Sequence, residues 1–200
     1  MKDYLAPLMP ESTYHIFNRA SGNERLFYTK ANYLYFLDRF MFYIEPYCRM
    51  LCYCLMPNHF HFVIRVKPVD ELISLMGHDY SEQHGKSLSR QFSNLFNAYS
   101  KAINKQQSRK GGLFMRPYKR ILISDQVYLL KLIHYIHMNP VSSNLCDHPQ
   151  QWFFSSYGAI ISTKPSKIER DEVLRLFDDK ENFIYCHEQP VSITGIENWG

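Results

Sequence analysis

Acidic residues are missing from the middle of the sequence, where no Asp or Glu lies between Gln83 and Ser124. The same stretch contains nine basic residues. A surface that serves only solubility mixes both signs of charge, so this gap indicates a surface for a polyanion. We expect nucleic acid as the partner. The residues predicted to contact its phosphates are Lys101, Lys105, Arg109, Lys110, Arg116, Lys119 and Arg120.

Cysteines are few, and no hydrophobic run approaches the length of a membrane span. Five cysteines are an odd number, and the chain is not small, so a disulfide framework is not expected. Cys52 and Cys54 are separated by one residue, which does not fit a usual zinc knuckle. Residues 1–10 are too short and too rich in proline for a signal peptide. We therefore predict a cytosolic protein with no membrane partner.

The charge balance reverses near the end of the sequence. From Pro165 to Gly200 there are four basic and eight acidic residues. The remainder of the chain has the length of one domain. We predict a catalytic domain over residues 1–160 and an acidic C-terminal extension over residues 161–200.

Hydrophobic periodicity predicts the element order β-α-β-β-α-β-α. The first six elements match the ferredoxin-like split βαβ arrangement, an α+β fold with an antiparallel sheet and helices on one face. The third helix, which bears Tyr135, is additional. The predicted boundaries are 12–19, 29–44, 47–55, 59–66, 87–105, 118–124 and about 125–138.

Three further predictions concern the helices. In the first helix we expect a buried face formed by Leu34, Leu37, Phe40 and Met41. Pro140 is expected to end the third helix, because proline lacks the N–H that an interior helical position needs. A short helix is predicted from Arg170 to Phe177, and the last twenty residues are predicted to be irregular.

Two histidines begin the third predicted strand, in the segment Pro57-Asn58-His59-Phe60-His61. Residues i and i+2 of a strand point to the same face, so His59 and His61 present their imidazoles side by side. Two imidazoles can bind a metal ion when a third ligand comes from elsewhere. The alternative for this pair is two ordinary strand histidines with hydrogen-bond partners.

The third helix can supply what the histidines lack. At about 100° per residue, Tyr128, Lys131, Tyr135 and Asn139 lie within one narrow arc. If this arc faces the histidines, the Asn139 carboxamide oxygen can be the third ligand and the Tyr135 hydroxyl can be a nucleophile. Tyr128 is the alternative nucleophile, and a core role is the alternative for Tyr135.

These segments resemble a known family. Pro57-Asn58-His59-Phe60-His61 looks like the HUH motif of histidine, hydrophobic residue and histidine. Tyr135-Ile136-His137-Met138-Asn139-Pro140-Val141, followed by Trp152 and Ser155-Ser156-Tyr157, resembles the tyrosine-helix region of the single-tyrosine transposases, above all the REP-associated tyrosine transposases. The resemblance covers residues 13–157.

The resemblance implies a ferredoxin-like fold, a Mg²⁺ or Mn²⁺ cofactor, and cleavage of single-stranded DNA near a hairpin through a covalent 5′-phosphotyrosine intermediate. It makes His59, His61 and Asn139 the metal ligands and Tyr135 the nucleophile. The partner would be single-stranded or hairpin DNA, and the protein would be a monomer or a homodimer.

Two other functions remain open from the sequence. A non-catalytic ferredoxin-like module would bind nucleic acid through exposed aromatic and basic residues, and would need neither metal nor Tyr135. A zinc hydrolase would use His59 and His61 without a covalent protein–DNA link.

Overall fold

A four-stranded antiparallel sheet lies at the centre of the computed structural model, which describes residues 3–76 and 83–190. The sheet order is β2-β3-β1-β4, and each neighbouring pair is antiparallel. The mixed α and β class with an antiparallel sheet is therefore confirmed. The strands are β1 (Thr13–Arg19), β2 (Cys48–Leu55), β3 (His59–Val66) and β4 (Lys119–Ile123).

Helices follow the predicted order, with more of them towards the C-terminus than expected. None of the described helices is long and apolar enough to cross a membrane. The helices are α1 (Lys30–Tyr43), α2 (Val69–Met76), α3 (Gln83–Gln106), α4 (Gln126–Ser142), α5 (Tyr157–Ile161), α6 (Arg170–Leu176) and α7 (Lys180–Glu188), with a 3-10 turn at Pro149–Gln151.

The two faces of the sheet pack against different helices, because side chains alternate along β3. Phe60 packs against Phe36 of α1, with ring centroids 5.2 Å apart, and against Phe96 of α3 at 5.7 Å. This face and the two helices form an aromatic core. His59 and His61, which flank Phe60 along β3, point to the opposite face, where α4 lies.

The turn between β2 and β3 is fixed by backbone hydrogen bonds from two directions. Within the hairpin, the Met56 amide donates to the His59 carbonyl at 2.8 Å. From the segment after β1, the Ala20 amide donates to the Asn58 carbonyl at 2.7 Å, and the Leu26 amide donates to the Pro57 carbonyl at 2.8 Å. Backbone hydrogen bonds therefore fix the start of β3, and with it the position of His59.

Asp125 caps α4 by accepting a hydrogen bond from the Tyr128 amide. The prediction that Pro140 ends this helix is wrong, since α4 continues to Ser142. A proline this close to the end removes only its own N–H bond. The next turn still closes, with the Ser143 amide donating to the Asn139 carbonyl at 3.0 Å.

The buried face of α1 is rotated from the predicted one. Tyr33, Phe36 and Phe40 are buried, whereas Leu34 is 46% exposed. Apolar residues occur on every side of this helix, so their spacing alone does not select the face that packs on the sheet.

Residues 180–188 form a helix, so the prediction that the last twenty residues are irregular is wrong for this part; residues 191–200 lie outside the described residues. Phe183 and His187, one turn apart, are the buried positions of α7. Only two buried residues in nine give too weak a periodic pattern for detection. The division of the chain at residue 160 stays a prediction.

His187 gives the fold an expected dependence on pH. Burial lowers its pKa to about 3, while its hydrogen bond to the Phe183 carbonyl acts in the opposite direction. His134 and His137 of α4 and Tyr157 of α5 surround the ring. The folded pKa lies below the unfolded value, so the unfolded chain takes up the proton first. The free energy of unfolding should therefore fall as the pH drops from about 6.5 towards 3.

We expect His187 alone to account for a loss of about 2 kcal/mol between pH 7 and pH 5. Urea unfolding of the wild type and of His187→Gln at both pH values measures this contribution. The variant should lose less stability on acidification than the wild type does. Equal losses in the two proteins would show that His187 does not titrate in this way.

Candidate active site

The two histidines of β3 lie side by side in a buried position. His59 and His61 are 6% and 1% exposed, and their ring centroids are 5.1 Å apart with an angle of 80° between the planes. Both lie on the face of the sheet opposite to α1 and α3. This is the arrangement expected from residues i and i+2 of one strand.

Each histidine has a hydrogen-bond partner on its Nδ1 atom. His59 Nδ1 is 2.7 Å from Asn58 Oδ1, and His61 Nδ1 is 3.0 Å from His15 Nε2 on β1. Because Asn58 Oδ1 only accepts, His59 donates its Nδ1 proton to it. When His61 likewise donates from Nδ1, the Nε2 atoms of both rings keep their lone pairs. Neutral imidazoles oriented in this way are suitable metal ligands.

Asn139 of α4 faces His59 across the gap between helix and sheet. Its Oδ1 atom lies 3.1 Å from His59 Nε2, and its side chain is buried. The oxygen therefore faces the one His59 nitrogen that Asn58 does not occupy. A neutral imidazole has a single N–H and cannot donate to both oxygens. A cation between Nε2 and Oδ1 would resolve this conflict, because both atoms offer lone pairs.

Tyr135 of α4 lies beside the second histidine. Its ring centroid is 5.9 Å from that of His61, at an angle of 76°, and the residue is 5% exposed. Tyr128, the alternative nucleophile, lies two turns earlier, which is about 10 Å along the helix axis. Lys131 between them is exposed. The structure thus brings Tyr135 and Asn139 of the predicted arc to the histidine pair.

The electrostatics of the pair favour neutral rings. Burial lowers the pKa of His59, although the contact with Asn139 raises it and Arg19 lowers it further. Burial also lowers the pKa of His61, well below its ordinary value, and the neighbouring His59 and His15 act in the same direction. Neutral imidazole, not imidazolium, is the form that binds a metal ion.

The side chains at the histidine pair offer an unusual set of ligands for a divalent cation. No group of three or more His, Cys, Asp or Glu side chains in residues 3–76 and 83–190 is arranged to hold a metal ion. A site at the histidine pair thus requires a ligand of another type, and the Asn139 carboxamide is one. His61 Nε2 is buried and has no hydrogen-bond partner within the described chain. The residues present therefore fit a cation held by two nitrogens and one amide oxygen.

The predicted phosphate-contacting residues divide into two groups. Lys101 and Lys105 of α3, and Lys110 and Arg116 after it, are exposed. The other three have contacts within the protein. The Lys119 ammonium lies over the rings of Tyr4 and Phe17. A guanidinium nitrogen of Arg109 is 3.5 Å from a carboxylate oxygen of Glu24. Arg120 donates to the carbonyls of Leu5 and Ala6.

A groove of about 780 Å³ lies between α3 and the segment before β4. Polar α3 side chains such as Ser93 and Asn97 line it, together with Arg116 and Arg120, and none of its lining residues in the described part of the chain is acidic. The groove is on the helix side of the sheet. Any nucleic acid that occupies it reaches the histidine pair only by passing around a sheet edge.

Two further residues hold the histidine rings. The sequence points to one of them, His15, which could line the site from the first strand or be a buried hydrogen-bonded histidine. Asn58 precedes the histidine pair and is typical of a turn, and its side chain accepts the hydrogen bond that orients the His59 ring. His15 lies 46 residues before His61 and bonds to it across the β1–β3 ladder. An alternating strand that contains a histidine, paired with the strand of the histidine motif, is the signal that points to His15.

Comparisons with known proteins identify the fold. No protein-family model matches the sequence, and no curated protein sequence is similar to it. A solved structure of a REP-associated tyrosine transposase bound to a REP hairpin is similar, with a TM-score of 0.57 and 13% sequence identity. The similarity covers 82% of this chain and 89% of that one. The chain therefore has the fold of a REP-associated tyrosine transposase.

Proposed function

We propose that the protein is a metal-dependent single-tyrosine DNA transposase of the HUH type, or a domesticated relative of one. It would nick and rejoin single-stranded DNA near hairpins through a covalent 5′-phosphotyrosine intermediate. The observation that carries this proposal is the approach of α4, which brings Tyr135 and Asn139 to His59 and His61. The similar solved structure holds a REP hairpin, which supports DNA as the partner.

The ferredoxin-like assignment belongs to this proposal. The strand order β2-β3-β1-β4, with α1 and α3 on one face, supports the split βαβ arrangement. In this arrangement α4 is the added element, and it covers the face that α1 and α3 leave open. The location in the cytosol and the choice between monomer and homodimer stay predictions.

Mg²⁺ or Mn²⁺ would be held by His59 Nε2, His61 Nε2 and Asn139 Oδ1. The 3.1 Å separation of His59 Nε2 and Asn139 Oδ1 supports this choice. Two adjacent ligands of an octahedral ion with bonds of about 2.1 Å lie about 3 Å apart. When bound, the cation would polarise a phosphodiester and offset the negative charge that develops on it.

The chain's own residues would carry out the transfer. The Tyr135 oxygen attacks the phosphorus, so a Tyr–O–P bond forms and the bond from phosphorus to the 3′ oxygen breaks. The phenol proton is lost, and the departing oxygen gains a proton to become a 3′ hydroxyl. One phosphodiester replaces another, so a second DNA hydroxyl can reverse the step and join a different strand.

Asn58 and His15 would act on the ligands rather than on DNA. By occupying the Nδ1 atoms of His59 and His61, they leave both Nε2 atoms available as ligands, and that of His59 faces Asn139. The exposed lysines of α3 and the groove beside them would bind DNA phosphates on the far side of the sheet.

Incubation with a labelled single-stranded hairpin oligonucleotide and Mg²⁺ tests the proposed function. A target from the flanking repeats of the gene, if palindromic, is the natural substrate. We expect a protein–DNA adduct that survives denaturing electrophoresis and whose mass equals that of the protein plus the 5′-phosphorylated fragment minus one water. DNA binding without an adduct at any metal concentration would support the non-catalytic binding module instead. Hydrolysed DNA without an adduct would support the zinc hydrolase.

A further inference from the structure

A chain of buried hydrogen bonds holds α4 from the side that faces away from the candidate active site. His137 lies two residues after Tyr135 and two before Asn139, about 200° around the helix from each. The residue is fully buried. Its Nδ1 atom is 3.0 Å from His187 Nε2 on α7, and its Nε2 atom is 2.8 Å from Ser156 Oγ.

The Phe183 carbonyl at one end of this chain determines which atom donates and which accepts in each hydrogen bond. The Phe183 carbonyl can only accept, so His187 donates to it from Nδ1 at 2.7 Å. A neutral His187 then has a bare Nε2, to which His137 donates from Nδ1. The bare Nε2 of His137 in turn accepts the Ser156 hydroxyl proton. Ser156 Oγ accepts from the Tyr53 amide at 2.9 Å. The Tyr53 carbonyl, at 3.3 Å, is the more distant acceptor for the same hydroxyl proton. We call His187, His137 and Ser156 the histidine relay.

The relay joins α4 to β2 at one end and to α7 at the other. At one end, Tyr53 belongs to β2 and pairs with Phe62 of β3, next to His61. At the other end, Phe183 is fully buried, with its ring against those of Tyr157 and Phe177. Hydrogen bonds therefore connect α4 both to β2, the strand beside the candidate metal ligands, and to α7 of the C-terminal extension.

We propose that His187 is a positioning residue that sets the rotation of α4 and thereby the placement of Tyr135 and Asn139 over the histidine pair. This inference rests on the proposed function, and it gives the C-terminal extension a role in it. His187 touches neither DNA nor the reacting atoms. It acts through His137, which has no other partner for its Nδ1 proton among the described residues.

The physical reason is the cost of a buried donor without an acceptor. If His187 no longer accepts, the Nδ1–H of His137 is left unpaired in an apolar environment. A change of His137 tautomer would turn the Ser156 proton to the Tyr53 carbonyl at 3.3 Å and leave the His137 Nδ1 atom buried without a donor. Rotation or tilting of α4 instead lets the ring find another partner. A displacement of about 1 Å at a reacting group lowers a rate by about 100-fold, so a small rotation suffices.

Two substitutions of one residue separate positioning from stability. In His187→Gln the Oε1 atom can take the place of Nε2 and accept from His137, while the bond to Phe183 is lost. In His187→Asn the Nδ2 atom can take the place of Nδ1 and keep the bond to Phe183, while the bond from His137 is lost. Each variant removes one hydrogen bond, so a merely structural residue would respond to both in the same way.

The measurement is the single-turnover rate of adduct formation with hairpin DNA and Mg²⁺, together with DNA affinity and the unfolding temperature. We expect His187→Asn to lower the rate by about 100-fold at unchanged affinity. His187→Gln should react near the wild-type rate. Ser156→Ala, which breaks the relay at its other end, provides a second variant and should resemble His187→Asn. Equal rates in the two His187 variants would overturn the inference.

Nuclear magnetic resonance of the Tyr135 ring, without DNA or metal, tests the placement independently of activity. The ring signals should shift in His187→Asn and Ser156→Ala and stay at their wild-type values in His187→Gln. Unchanged signals in all variants would show that the relay does not set α4. If the wild type forms no adduct, the proposed function fails, whereas these shifts still decide whether His187 positions the helix.

Discussion

Tyr135→Phe is expected to abolish the covalent protein–DNA adduct, with a loss of about 10⁴-fold or more in the rate of its formation. The substitution removes one oxygen and retains the buried ring that lies against His61. Packing of α4 should therefore be preserved, and so should the basic surface on the other side of the sheet. DNA affinity is expected to remain at the wild-type value while covalent chemistry is lost.

Tyr128→Phe is the matched control, because it makes the same change on the same helix two turns away. It should form the adduct at close to the wild-type rate. The measurement is denaturing electrophoresis of a labelled oligonucleotide, with a binding titration of each variant beside it. An adduct in Tyr135→Phe that disappears in Tyr128→Phe would assign the nucleophile to Tyr128.

The sheet could be predicted from the sequence because strong local patterns define it. The strand β3 has the predicted bounds, His59–Val66, since a proline-containing turn precedes it and its side chains alternate. The buried stripe of α3, from Leu88 to Ile103, also has the spacing of an amphipathic helix. In both elements one face is apolar and the other is not, so periodicity determines which face packs.

The same reasoning fails where the local pattern is ambiguous. The α1 sequence has apolar side chains around its whole circumference. Aromatic side chains of β3 and α3 select Phe36 over Leu34 as the buried residue. In α7 the three residues between the buried Phe183 and His187 are also apolar or aromatic, so local sequence does not single out these two, and their partners lie on other elements. These faces are chosen by tertiary contacts that no window of local sequence contains.

Half of the candidate site follows from spacing, and half depends on long-range contacts. Tyr135 and Asn139 share an arc because they are one helical turn apart, so the sequence alone predicts that both face one neighbour. The identity of that neighbour does not follow from the sequence, because Asn139 meets His59 across 80 residues of chain. The same holds for His15 beside His61 and for His187 behind His137.

α4 thus combines two kinds of contact on opposite sides. Tyr135 and Asn139 face the histidine pair, whereas His137 between them in sequence faces the relay. Helical geometry allows this division, because a step of two residues turns the helix by about 200°. The block from Tyr135 to Asn139 therefore encodes the candidate chemistry and the anchoring of the helix together.

His61→Ala is expected to remove metal binding and cleavage at the same time. The substitution eliminates the Nε2 atom that is buried without a hydrogen-bond partner in the described chain, and with it one of the three proposed ligands. Loss of a ligand should weaken Mn²⁺ binding by about 100-fold or more, since even the loss of an outer-sphere partner weakens binding by about 10- to 100-fold. Adduct formation should become undetectable at Mg²⁺ concentrations that saturate the wild type.

The decisive measurement is the free Mn²⁺ signal in electron paramagnetic resonance, titrated with protein in the absence of DNA. His59→Ala should lose affinity as His61→Ala does, because each supplies one nitrogen. His148→Ala removes an exposed histidine far along the chain and should bind Mn²⁺ like the wild type. Thermal unfolding of each variant shows whether the domain remains folded, since the substituted ring of His61 is buried. Unchanged Mn²⁺ affinity in folded His61→Ala would exclude His61 as a ligand, and an adduct that forms equally well in a metal chelator would exclude a metal-dependent reaction altogether.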